Sequence, residues 1–87
     1  GRVVAGNQLN WRALLVAEQT ADVAATLETF SRVVPLTDVE RARVERELRR
    51  RRRFVPVIVR EFLTWEEMAR IELNAPDLPG ISVDVGT

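Results

Sequence analysis

The chain has 87 residues, 46% of them hydrophobic and 30% charged, and thirteen basic residues balance thirteen acidic ones. That length suits one small domain, and a zero net charge points to neither a nucleic acid nor a membrane surface as partner. Every basic residue is arginine. The absence of lysine, histidine, cysteine and tyrosine removes Schiff-base, imidazole and thiol chemistry, and it leaves Ser31 and Ser82 with no base to activate them.

No apolar run approaches the roughly 20 residues of a membrane span. The chain opens on Gly1 rather than methionine and ends on Gly86-Thr87. Residues 1–87 therefore read as a single non-catalytic domain and as a piece of a longer protein.

In chain order, Val3-Val4-Ala5 is a short apolar strand closed by the turn pair Gly6-Asn7. Trp11 to Ala17 reads as a second strand. Trp11, Ala13, Leu15 and Ala17 fall on one face, Arg12, Leu14 and Val16 on the other. Both faces carry apolar groups, which predicts cover on both sides of part of the strand. Asp22 is placed to cap a first helix. Val23, Leu27, Phe30 and Val34 recur at helical spacing, and Ala24 and Ser31 widen that face. Pro35 forces residue 34 out of the helical region and ends the helix.

Thr37 and Glu40 have capping-box spacing and open a second helix, Val39 to about Arg51. Its apolar stripe is thin: Val39, Ala42, Val44 and Leu48. Glu45–Arg49 and Glu47–Arg51 stand at i, i+4 in the favourable order. Phe54 to Arg60 reads as a strand with Val55, Val57 and Val59 on one face and Phe54, Ile58 and Arg60 on the other. Pro56 removes a ladder donor and predicts an edge position. Thr64 and Glu67 repeat the capping-box spacing before a third helix, Trp65 to about Asn74, which carries Trp65, Met68, Ala69 and Ile71. Pro76, Pro79 and Gly80 make a loop, and Ile81 to Val85 alternates as a last strand. The expected class is α+β, in the order β-β-α-α-β-α-β, with a short sheet packed by about three helices.

The candidate functional features are few. Arg49, Arg50, Arg51, Arg52 and Arg53 form a run that reads either as a polyanion patch for nucleic acid or anionic lipid, or as a solvated helix end whose cations complement the macrodipole. No aromatic residue interleaves with it, as a base-stacking platform requires, and the upstream Glu40, Glu45 and Glu47 neutralise part of it. The helix-end reading is preferred, and docking onto a partner's carboxylates is a further use. Glu66, Glu67 and Glu72 are the only carboxylate cluster near aromatic residues. They fit the first turn of a helix better than acid–base chemistry, and none has calcium-loop spacing. Trp11 and Trp65 are candidate contact anchors, with core packing as the plainer reading. No catalytic, cofactor-binding or metal-binding residue is assigned.

At the level of ordered segments the chain resembles the head region of class B penicillin-binding proteins of the penicillin-binding protein 2 type. Gly1-Arg2-Val3-Val4-Ala5 with Asn7 is similar to the family's early strand. Val33-Val34-Pro35-Leu36-Thr37 resembles its helix junction, and Arg52-Arg53-Phe54-Val55-Pro56-Val57 its basic-then-apolar strand. Leu63-Thr64 with Glu66-Glu67-Met68-Ala69-Arg70 resembles a family helix, and Leu78-Pro79-Gly80-Ile81-Ser82-Val83 a family strand. The family's catalytic signatures S-x-x-K, S-x-N and K-T-G are missing, so no catalytic residue carries over. The resemblance implies a pedestal and docking region of a peptidoglycan transpeptidase, at the outer face of the bacterial inner membrane. In that reading the parent is anchored by a helix outside this chain. The partners it implies are the rod-shape-determining protein MreC and the glycan polymerase RodA. A homodimer through an exposed strand edge is a further expectation.

Overall fold

The computed structural model describes residues 9–86. The expected strand at Val3–Ala5 and its Gly6-Asn7 turn lie outside them. Three strands and three helices follow one another as β1 (Asn10–Leu15), α1 (Val23–Val33), α2 (Asp38–Arg50), β2 (Val57–Arg60), α3 (Trp65–Leu73) and β3 (Ile81–Gly86). The α+β class is borne out. Single 3₁₀ turns cover Ala17–Gln19 and Ala75–Asp77.

The caps read from the sequence fix where each helix starts. Asp22 Oδ1 accepts from Ala25 N at 3.0 Å. Thr37 and Glu40 close a reciprocal box at 3.1 and 2.9 Å. Thr64 and Glu67 close another at 3.1 and 2.8 Å. Each box satisfies two amides that a helix start leaves without partners. Pro35 does end α1, with Val34 already extended as its C-cap.

β1 is the central strand of an antiparallel sheet ordered β2-β1-β3. β3 pairs in unbroken register, from Leu15↔Ile81 to Asn10↔Gly86. β2 takes the edge, as Pro56 predicts. It begins only at Val57, so Phe54 and Val55 are not strand residues: Val55 N donates to Arg52 O in a turn, and Phe54 is exposed. β1 likewise stops at Leu15, and Ala17 enters the 3₁₀ turn with its side chain still buried.

One feature of β2 breaks strict alternation. Its pairing with β1 runs Leu15↔Val57, Leu14↔Ile58, then Ala13↔Arg60. Val59 is therefore an extra residue, a bulge that re-aims the residue after it. Arg60, expected on the face opposite Val57 and Val59, turns toward the helices instead. Its guanidinium donates to Pro35 O at 2.8 Å and lies 3.7 Å from Glu40 and 3.8 Å from Glu67. One side chain thus ties the α1–α2 junction and the first turns of α2 and α3 to the edge strand.

The core lies on one face of the sheet. Ala13, Leu15, Val57 and Val59 meet Leu27, Phe30 and Val34 from the first helical segment, Val44 from α2, and Met68 and Ile71 from α3. Phe30 is the largest fully buried side chain, worth about 2–3 kcal/mol in transfer alone. On the opposite face Leu14, Val16 and Ile58 stay half-buried, and none belongs to the buried cluster. This face of β1 is thus half-covered. There Arg12 donates twice to Asp84, at 3.0 Å each, across the β1–β3 ladder.

The helix faces differ from expectation in detail. Ala24 is exposed, and the buried polar position on α1 is Thr26, whose hydroxyl sits 2.8 Å from that of Thr20. On α2 the stripe is narrower than its apolar residues suggest: Val44 is buried and Leu48 half-buried, whereas Ala42 and Val39 face solvent. The helix lies along β2, and Arg43 Nη2 donates to Val59 O at 3.1 Å, which occupies a carbonyl of the edge strand. Of the two expected ion pairs, Glu47–Arg51 forms at 2.7 Å, but Glu45 turns back to Arg41 at 3.6 Å rather than forward to Arg49.

Candidate docking surfaces

The helical layer does not cover the sheet evenly. At the start of β1, Trp11 stands beside Val85 and two residues before Ala13, which pairs with Val83. α3 crosses this end with Met68 and Ile71 turned inward. Its first residue, Trp65, is 80% exposed, so the core reading of that residue is corrected. Trp11 is half-buried and packed against the core. Sequence spacing gave no reason to join the two tryptophans, yet the fold brings both to one surface cavity of about 260 Å³. Met68, Ala69, Val83 and Glu72 complete its lining.

Further exposed apolar groups flank this end of the sheet in sequence and register. Leu9 and Phe62 are 51% and 65% exposed, and Val85 45%. Phe62 holds a positive φ of 53°, and its amide donates to Asn10 Oδ1 at 2.8 Å, while Leu63 N donates to Trp11 O at 2.9 Å. The turn before α3 is thereby stitched to the start of β1. An exposed Trp beside apolar neighbours, with a rigid strand and helix behind it, is the composition of a protein contact surface.

The arginine run lies elsewhere. Arg49 and Arg50 end α2, Arg51 is its C-cap, and Arg52 and Arg53 enter the following turn; all five are exposed. Glu47 takes Arg51 at 2.7 Å and Arg50 at 3.6 Å, and the Arg51 hydrogen bond holds the Glu47 carboxyl below its ordinary range. Arg53 donates to Ala17 O at 3.4 Å, and its carbonyl accepts from Glu18 N at 3.0 Å. The run is therefore divided between a helix end where Glu47 pairs with Arg50 and Arg51 and a tether to the turn after β1. Arg49 and Arg52 have no carboxylate within salt-bridge distance among the described residues.

The carboxylates near the aromatics do not converge. Glu67 is spent on its cap and on Arg60, Glu66 is exposed on the first turn, and Glu72 lies on the rim of the tryptophan cavity. Among the described residues no group of three or more acidic side chains is arranged to hold a metal ion, and no helix is long and apolar enough to cross a membrane.

The model of the penicillin-binding protein dimerisation domain matches residues 1–87. The chain belongs to that family. The peptidoglycan D,D-transpeptidase MrdA of Haemophilus influenzae is 29% identical over 83 residues, which are 95% of this chain and 13% of that protein. The chain thus spans about an eighth of the curated relative it matches. The resemblance drawn from short motifs to a penicillin-binding protein 2-type head is borne out by both matches.

Proposed function

We propose that this chain is the non-catalytic pedestal of a bacterial peptidoglycan transpeptidase, placed on the periplasmic side of the inner membrane, where it docks proteins of the elongation machinery. The family match and the similarity to MrdA support the pedestal role. The observation that carries the docking role is Trp65, held 80% exposed beside Trp11 over a well-packed sheet. A buried core does not need that indole, whereas an interface does. Partners such as MreC and RodA fit the reading as proteins that would cover this surface and link its occupation to activation.

The test is a pull-down of the periplasmic part of MreC, and of RodA in detergent, with the wild-type chain and with Trp65→Ala and Ala69→Arg. Capture by the wild type and its loss in both variants is the expected result. Because both positions are exposed, the melting temperatures of the variants should stay within a few degrees of wild type. Capture unaffected by either change removes the tryptophan surface from the interface. No capture at all removes the docking role.

A further inference from the structure

At the opposite end of β1 from Trp11, the start of α1 and the end of α2 diverge and leave an open groove of about 390 Å³. Its floor is apolar: Val23 and Leu48 are half-buried, Leu27 is fully buried beneath them, and Ala24 contributes an exposed methyl. Its rim is cationic. Arg49 and Arg53 both line it. Glu45 lies there too, but its carboxylate is drawn to Arg41, 3.6 Å away. Arg49 has no carboxylate partner among the described residues, and Arg53 is held at the rim by its bond to Ala17 O.

We infer that this groove docks an acidic amphipathic segment of a partner protein, seating an apolar side chain over Val23 and Leu48 and placing carboxylates on Arg49 and Arg53. Two features select that chemistry. Planar guanidinia at a groove edge match carboxylates in a two-point geometry. The floor between the helices offers an apolar contact that a nucleic acid or a lipid headgroup would not use, and it carries no aromatic platform on which a base could stack. The exposed Ala24 also fits the role, since a small residue on a helix face lets another segment approach closely. This surface goes beyond the tryptophan surface: the two occupy different ends of the strand and fail separately.

The test uses the isotope-labelled 87-residue chain and a short synthetic peptide in which leucine pairs alternate with glutamate pairs. Its controls are the same peptide with glutamine for glutamate, polyglutamate, and a single-stranded oligonucleotide. The expected result is saturable binding of the acidic peptide, with methyl shifts at Val23, Leu27 and Leu48. The glutamine peptide should bind at least about tenfold more weakly, and Arg49→Glu should weaken the acidic peptide by a similar factor. Ala24→Trp should block the groove without touching the core, a point checked by an unchanged melting temperature, and Trp65→Ala should have no effect. Equal binding of the glutamine peptide overturns the inference, as does the absence of methyl shifts. Binding of polyglutamate or the oligonucleotide to the arginines without shifts at Val23 and Leu48 also overturns it, since the site would then be a bare polyanion patch.

Discussion

Two residues hold this small fold in ways their type alone does not announce. Gly80 sits at φ 85°, a conformation costly for any residue with a Cβ, and its carbonyl accepts from Val16 N at 2.9 Å. A Cβ built there would lie 2.9 Å from Val16 O and 3.2 Å from the Leu15 side chain. Strain and contact act together, so Gly80→Ala is expected to cost about 1–3 kcal/mol, measured by urea unfolding. Gly80→Asn separates the two causes. Asparagine tolerates positive φ but still carries the Cβ, so it should lose nearly as much as alanine if the close approach dominates. Arg60 works differently, by donating to a carbonyl of the α1–α2 junction and facing carboxylates of α2 and α3. Arg60→Ala should cost about 1 kcal/mol in the same measurement, and Arg60→Lys should recover only part of it, because an ammonium lacks the planar fork that serves several acceptors at once.

At the scale of elements, α2 carries several charge pairs but one buried apolar side chain, Val44. Glu40 is kept below its ordinary pKa chiefly by the Thr37 backbone amide, Glu47 by Arg51, and Glu28 by Arg41, which reaches from α2 back to α1. A carboxyl lowered in the folded state gives stability that is complete above its unfolded pKa and lost as pH falls through its folded one. The melting temperature should therefore stay level from neutral pH to about pH 5, then fall as the glutamates protonate below roughly 4.3. Glu47→Gln should flatten part of that fall, and a melting temperature unchanged into acid would show that these pairs contribute nothing. What the sequence made legible was local. The three N-caps were readable because each lies within three residues of the amide it serves. The edge position of β2 was readable because Pro56 is a local constraint. The bulge at Val59 was not, since an extra residue leaves no mark on an alternating Val-Ile-Val run, and so the place of Arg60 was missed. Val39 and Ala42 were misjudged because apolar type says nothing of which side α2 turns toward β2. The tryptophan cavity joins residues fifty-four positions apart, and only the β1–β3 register and the crossing of α3 bring them together. The single local hint was a Trp at the first position of a capped helix, where an apolar side chain has little of the core within reach.

Taken as a whole, the molecule has unequal halves. β1 is paired on both sides, with Ala13 and Leu15 fully buried, and α1 and α3 close over it through Leu27, Phe30, Met68 and Ile71. α2 adds one fully buried side chain, Val44, and otherwise rests on Leu48, on Arg43 bonded to the edge strand at 3.1 Å, and on Arg41 paired with Glu28 at 3.0 Å. Elements with few buried apolar groups open at lower free energy than the global transition. α2 should accordingly lift from β2 as a unit while the sheet and the other two helices persist. Native-state hydrogen exchange checks this directly: the amides of Val44 to Leu48 are expected to exchange at least about tenfold faster than those of Ala13 and Leu15, and less steeply with denaturant, because local opening exposes little surface. Val44→Ala should widen the gap by speeding α2 alone. Equal protection in α2 and β1 would mean that the domain opens only as one body. The consequence reaches the docking surfaces. The arginine-rimmed groove has one wall on α2, so a segment bound there must hold that helix in place and slow its exchange. The tryptophan cavity is built on β1, β3 and α3, and its occupant should leave α2 exchange unchanged. Under the two docking proposals, occupants of the two surfaces would suppress motion in different elements, and exchange rates measured with each bound would read that difference element by element.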